Sequence, residues 1–200
     1  MEDTIYAPSS AVGGAIAVLR VSGPEAGRVR ELLDRDPSAR PRELLHTRLM
    51  HGGEVIDECM AVYFPAPGSY TGEDMVEINV HGGTQTVQRA LGALASLGFR
   101  PAEAGEFTKR AFLNGKMDLS AAEAVMDVIN ADAEQSLKAA LLQLQGSVKR
   151  EIESTEQLLT DALSGIDAAI DYPDEAEEYA TRELPESLSA AIRRVDALIG

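Results

Sequence analysis

Three histidines, one cysteine and a single Gly-Lys pair are the residues from which the commonest site chemistries would have to be built in this chain of 200 residues. His46, His51 and His81 fall on separate predicted elements, with neither a paired-cysteine pattern nor a His-Glu-x-x-His pattern, so no metal site is expected. Gly115-Lys116 is followed by Met117, and Arg110 stands where a phosphate-binding loop needs its first glycine. No P-loop is present, GTP hydrolysis by these residues alone is not expected, and no catalytic residue is assigned. What remains is a set of three turns with unusual wording. They are Phe64-Pro65-Ala66-Pro67-Gly68-Ser69-Tyr70-Thr71-Gly72-Glu73-Asp74, then Val80-His81-Gly82-Gly83, then Gly105-Glu106-Phe107-Thr108-Lys109-Arg110-Ala111-Phe112-Leu113-Asn114-Gly115-Lys116.

The elements between these turns read as α+β. Residues 15–21 are short, apolar and rich in β-branched side chains between Gly13-Gly14 and Ser22-Gly23-Pro24, which predicts a buried strand. A short helix over 25–33 follows, then strands over 45–50 and 55–64 around the hairpin signal Gly52-Gly53, and a strand over 75–80. In the last of these, Val76, Ile78 and Val80 alternate with Met75, Glu77 and Asn79, so glutamate and asparagine share the face away from the apolar set. Residues 84–97 carry apolar side chains at helical spacing and stop at Gly98. Strand, helix, hairpin, strand, helix does not repeat as βαβ, so a mixed or antiparallel sheet with helices on one face is expected rather than a doubly wound fold.

After Asp118 the period changes to three and four, which predicts one long amphipathic helix capped by Asp118 or by Ser120 with Glu123, with Gly146 as a break or kink. The apolar stripe resumes from Ile152 to Ile170, Pro173 ends it, an acidic connector runs to Pro185, and a last helix follows. The division expected is 1–117 and 118–200. Such helices are too few to close a bundle, so missing helices, a second copy of the chain, or both must cover their stripes.

The net charge of −15 is uneven: residues 151–200 hold 13 acidic and 3 basic side chains. An acidic surface repels phosphate backbones, which argues against tight independent RNA binding through a broad basic face. No run of apolar residues is long enough to span a membrane, the first residues lack the features of a signal peptide, and the expected location is the cytoplasm. The lone Cys59 reads as a buried strand residue.

The three turns, together with the phrase Gly13-Gly14-x-Ile16-x-x-x-Arg20-x-Ser22-Gly23, closely resemble the amino-terminal domain of the MnmE (TrmE) family of tRNA-modification GTPases. Leu119-x-x-Ala122-Glu123-Ala124 and Asp171-Tyr172-Pro173-Asp174-Glu175 resemble the family's helical domain. Two departures lie in turns: Ala104 where the family often has proline, and Ala11-Val12-Gly13-Gly14 where it has Gly-x-Gly-Gly. The resemblance implies a folate-binding and dimerisation domain similar to the tetrahydrofolate-binding part of the glycine-cleavage T-protein, followed by a partial helical domain. It implies 5-formyltetrahydrofolate as ligand at a homodimer interface, with folate contacts falling on Arg20, Glu77 and Lys116. A carboxylate can accept two hydrogen bonds from the pterin's amino and ring N–H groups, and the cations can meet the carboxylates of the glutamate tail. His81, Gly82 and Gly83 are further candidates for folate or dimer-interface contact, in a turn that opens onto a helix amino terminus whose free N–H groups could hold an anion. The family's GTPase domain, which would use GTP with magnesium and potassium, its remaining helices and its functional cysteine are not found among these residues. In the whole family protein the implied setting is a complex with the FAD-dependent partner MnmG that modifies carbon 5 of the wobble uridine in tRNA.

By pattern alone these residues have plainer readings. Arg20 marks a strand end at solvent, Glu77 the wet face of an edge strand, and Lys116 an ordinary turn lysine; His81 is equally a hydrogen-bonded turn histidine. At the level of function, a dimerisation and docking module without folate, and an independent folate-dependent one-carbon transferase, stand as rivals.

Overall fold

The computed structural model describes residues 3–171 and 183–199, and the chain falls into two compact units, Met1–Met117 and Asp118–Gly200. The first unit is built on six strands: β1 (Ile5–Pro8), β2 (Ile16–Ser22), β3 (Leu45–His51), β4 (Glu54–Phe64), β5 (Met75–His81) and β6 (Arg100–Pro101). They lie in the order β3-β4-β5-β2-β1-β6. Every neighbouring pair is antiparallel except β1 with β6, which is parallel. The alternation read in β5 sets its two faces. Val76, Ile78 and Val80 stand directly opposite Val21, Leu19 and Ala17 of β2, and all six are at most 1% exposed. Helix α1 (Thr84–Ser96) covers this face with Val87, Ala90, Ala93 and Leu94, and Ala26, Val29 and Leu32 extend the same core. Cys59 lies buried in it, and burial, with the charge of Asp57 next, pushes its thiol up to about 12.

Local chemistry explains where the structure departs from the sequence reading. The segment expected as a helix over 25–33 is a 3-10 helix, Ala26–Leu32, with no side-chain cap and with Gly27 inside it. Strands β1 and β6 have four and two residues, too short to show a period, and Pro101 is tolerated because β6 sits at the sheet edge. Residues 106–113, read as part of a turn, form α2 (Glu106–Leu113), entered through Gly105 at φ +74°. Glu77 is not on an edge strand: β5 lies between β4 and β2.

The second unit is helical, but the single long helix expected after Asp118 is three helices: α3 (Leu119–Asn130), α4 (Glu134–Leu144) and α5 (Ser147–Asp171). The first break falls at Ala131, whose ψ of 111° is extended, between the turn-forming Asn130 and Asp132. The second falls at Gly146, where φ is +73° and the Arg150 guanidinium caps the Gln145 carbonyl at 2.7 Å. Asp118, rather than Ser120, caps α3, accepting from the Ala121 N–H at 2.8 Å while the Ser120 hydroxyl also donates to it; these bonds lower its pKa. The last helix, α6 (Leu184–Ile199), starts ahead of the expected boundary and takes Pro185 into its first turn, where a missing N–H does no harm. Tyr172, Pro173, Asp174 and Glu175, and most of the acidic connector, lie outside the described residues. Among the described residues no helix is long and apolar enough to cross a membrane.

One interaction ties the first unit together on the sheet face opposite α1. The Arg110 side chain of α2 is fully buried. Its guanidinium donates to Asp3 Oδ1 at 2.8 Å, to the Asp3 carbonyl at 2.8 Å, to Glu73 Oε2 at 3.2 Å and to Glu106 Oε1 at 3.1 Å. Arg100 joins from outside with 2.6 Å and 2.7 Å bonds to Glu106 and Asp3. Hydrogen bonds from Arg100 first, then from the Glu103 N–H and Arg110, hold Glu106 down at about 2 against an ordinary value of 4.5. Because the folded carboxyl is the more acidic, its contribution to stability is complete above about pH 4.5 and is lost as pH falls towards 2. Glu106→Gln is therefore expected to be less stable than the parent at pH 7, with the gap closing as the medium is acidified. Urea midpoints across that range test this, and a gap independent of pH would contradict it.

Two further outcomes follow from burial. Cys59 is expected to resist a water-soluble disulfide reagent at pH 8 until denaturant is added; fast labelling of the native protein would be inconsistent with its place in the core. Arg110→Met, which strands buried carboxylates, is expected to lower unfolding stability by about 3 kcal/mol, read from denaturant titration.

Candidate functional site

Arg20 and Glu77 stand directly opposite each other on adjacent central strands, on the sheet face away from the α1 core. The Arg20 Nε donates to Glu77 Oε1 at 2.9 Å, Nη2 lies 2.7 Å from the same oxygen as an ion pair, and the two side chains are 21% and 20% exposed. Such a pair is neither buried beyond reach nor fully wet, so it can be met by a ligand without unfolding anything. Among the described residues Glu77 Oε2 takes no hydrogen bond. The sequence reading of Arg20 as a strand end at solvent does not hold, since β2 continues through Val21 and Ser22 and the guanidinium is half-buried.

Two aromatic rings bracket the guanidinium. Arg20 Cζ lies 4.9 Å from the ring centroid of Tyr70 and 5.5 Å from that of Phe107, inside the range of a cation–π contact. Tyr70 comes from the loop between β4 and β5, Phe107 from the first turn of α2, and the Tyr70 hydroxyl and Thr108 hydroxyl are 2.9 Å apart. Neither ring was singled out in the sequence. Both lie within the turns that were, and their meeting over Arg20 depends on contacts between segments about forty residues apart.

The β4–β5 loop is held at several points. The Ser22 hydroxyl of β2 lies 2.6 Å from that of Thr71 and donates to Glu73 at 2.8 Å, and Glu73 is one of the carboxylates on Arg110. The Ser69 hydroxyl donates to the Glu73 carbonyl, and Asp74 accepts from the Ala66 N–H at 2.9 Å. Lys116, beyond α2, reaches back to the same loop: its Nζ donates to the Pro67 carbonyl at 2.9 Å and the ammonium remains exposed. Gly72 makes room for it, because a Cβ there would lie 3.1 Å from Lys116 Cγ. The structure thus connects Arg20, Glu77 and Lys116 through one loop, which touches Arg20 through Tyr70 and Lys116 through Pro67.

His81 ends β5 on the same face as Glu77. Its Nδ1 lies 2.7 Å from Asp57 Oδ1 and its backbone N–H donates to Asp57 Oδ2 at 2.7 Å, while the ring stays exposed. Asp57 is a partner that sequence spacing did not suggest. Gly82 is buried against the Gly13-Gly14 turn, whose Gly13 N–H donates to the Gly82 carbonyl at 2.8 Å. A Cβ on Gly82 would collide with the Gly14 carbonyl, so this position requires glycine for space. Gly83 is the N-cap residue of α1. Among the described residues no group of His, Cys, Asp and Glu is arranged to hold a metal ion.

Comparison with known proteins gives two family matches, which meet near the junction of the two units. The family described as GTP-binding protein TrmE N-terminus matches residues 4–116, and that described as MnmE helical domain matches residues 119–200. A tRNA modification GTPase MnmE of Thermotoga petrophila is 44% identical over 203 residues, covering 98% of this chain and 45% of the relative. Proteins of the same name from Caulobacter vibrioides and Opitutus terrae are 46% and 43% identical over 92% and 100% of the chain, covering 42% and 44% of their own lengths. The chain thus spans less than half the length of these curated relatives. It belongs to the MnmE (TrmE) family, of which it carries the N-terminal and helical domains.

Proposed function

We propose that the first unit binds a reduced folate, 5-formyltetrahydrofolate, through Arg20, Glu77 and Lys116, as part of a protein that modifies the wobble uridine of tRNA. The observation that carries this reading is the half-buried Glu77 carboxylate with Oε1 held by Arg20 and Oε2 without a hydrogen-bond partner among the described residues. A pterin offers adjacent amino and ring N–H donors that match a fixed carboxylate. Tyr70 and Phe107 supply flat apolar surface beside it, suited to an aromatic ring system. Lys116, with one N–H on Pro67 and the rest of its ammonium exposed, suits the carboxylates of a glutamate tail. When bound, the folate would supply the one-carbon unit. The residues here bind and orient it: Arg20 holds the Glu77 carboxylate in place, and the rings keep water from that side. His81, Gly82 and Gly83 lie farther along β5 and beyond it, and their proposed part is at the edge of the ligand or at the contact with a second copy of the chain.

In the same reading the protein is a cytoplasmic homodimer that meets tRNA through a complex with an FAD-dependent MnmG-type partner. The second unit supports an assembly role. Its helices bury mainly small residues, Ala121, Ala124, Ala140, Ala162 and Ala191, while Ile129 and Ile170 are 68% and 72% exposed, which leaves apolar surface to be covered.

Titration calorimetry of the chain with 5-formyltetrahydrofolate is expected to give saturable binding that weakens at least about tenfold, or about 1.4 kcal/mol, in Glu77→Ala. Arg20→Ala and Lys116→Ala are expected to weaken it as well. Absence of binding by folded protein that sediments as a dimer would overturn the folate reading and leave a dimerisation and docking module.

A further inference from the structure

Arg42 is an exposed arginine between the 3-10 turn Pro37–Ala39 and β3, and it has a left-handed backbone, with φ +67°. Among the described residues it is the one non-glycine residue with positive φ. Arginine gains nothing intrinsic from that conformation, which persists only when surrounding contacts enforce it. Two contacts do so. The Arg42 N–H donates to the Tyr63 carbonyl of β4 at 2.8 Å, and the guanidinium Nη2 donates to the Gly68 carbonyl at 2.6 Å. Gly68 admits the guanidinium because it has no side chain: a Cβ there would overlap Arg42 Nη2.

The carbonyl gripped in this way belongs to a tight turn. The Gly68 N–H donates to the Pro65 carbonyl at 2.9 Å, and the residue inside that turn, Pro67, accepts from Lys116 Nζ at 2.9 Å. Arg42 and Lys116 therefore hold adjacent carbonyls of one turn from segments more than seventy residues apart. The turn is open to solvent at Ala66 and Pro67; its Ala66 N–H donates to Asp74 at 2.9 Å, while the anchors at Ser69, Thr71 and Glu73 lie beyond it in the chain.

We propose that Arg42 is a positioning residue for ligand binding, a role that rests on the folate reading above: it fixes the Pro65–Gly68 turn so that the Pro67 carbonyl places the Lys116 ammonium toward the ligand's carboxylates. Arg42 acts through the turn and through Lys116, and need not touch the ligand.

Arg42→Gly separates this role from a structural one. Glycine relieves the positive φ, so thermal stability is expected to be unchanged or higher, while removal of the guanidinium frees the turn. Titration with 5-formyltetrahydrofolate is expected to show affinity about fivefold lower or worse in Arg42→Gly. Arg42→Lys, which keeps a donor and the charge, is expected to recover part of the loss. In a Lys116→Ala background the further effect of Arg42→Gly should largely vanish, since the two act on one contact. Unchanged affinity in Arg42→Gly, or an equal loss in both backgrounds, would overturn the proposal. Should the parent protein bind no folate, the folate reading falls first and Arg42's role in binding falls with it. Hydrogen exchange at the Gly68 amide then decides whether a clamp on the turn exists at all: faster exchange in Arg42→Gly keeps the clamp, and equal exchange removes it too.

Discussion

A permanently charged guanidinium in the interior constrains everything near it. Arg110 cannot lose its proton, so burying it demands carboxylates and carbonyls brought to fixed places around a planar fork. Two of those partners come from distant parts of the chain, Asp3 before β1 and Glu73 before β5, and the third, Glu106, lies one turn earlier on α2. Satisfying Arg110 thus docks α2, closes the β4–β5 loop and anchors the start of the chain in one step. The arrangement is not quite complete, since Arg110 Nε is buried without a hydrogen-bond partner among the described residues. Desolvation offsets much of the Coulomb attraction in such a cluster, whereas removing one member leaves its buried partners uncompensated.

The candidate site has two halves with different origins. Arg20 and Glu77 are set by strand register in the middle of the sheet, where a one-residue slip of either strand would carry its member of the pair to the apolar face. Tyr70, Phe107 and Lys116 belong to the loop and to the region of α2, which have no register to fix them and depend on side-chain contacts instead. Ser22 joins the halves: two residues along β2 from Arg20, it bonds to both Thr71 and Glu73. The charged pair is therefore set by the sheet, and the groups around it are set by side-chain contacts, among them the pairing of Glu73 with Arg110.

This division also explains what the sequence made legible. The β5 alternation, the hairpin at Gly52-Gly53 and the α1 stripe are local periodic signals, and they placed the core and the face of Glu77 correctly. The position of β5 in the middle of the sheet was not legible, because strand order is a matter of non-local pairing. Helix α2 was hidden since its buried positions include Glu106 and Arg110, residues that a pattern of apolar spacing counts as surface. The breaks in the helical unit had a visible cause at Gly146 but only a weak one at Ala131, where the apolar period runs on across a bend. The partnership of Asp57 with His81, and the two rings over Arg20, came from contacts that no local spacing encodes.

Charge limits how the proposed role in tRNA modification can be carried out. With 13 acidic against 3 basic residues in its last fifty positions, the helical unit sets a repulsive field against a phosphate backbone, screened only beyond about 8 Å at physiological ionic strength. In the first unit Arg20, Arg100 and Arg110 are all committed to carboxylates, so they add little free positive potential. A chain with this distribution suits holding a small anionic ligand at one local site far better than gripping RNA along a surface. RNA contact in the proposed assembly therefore falls to surfaces other than these arginines and the acidic helices, while the proposed folate site, set on the central strands, would draw its positive charge from Arg20 and Lys116 alone.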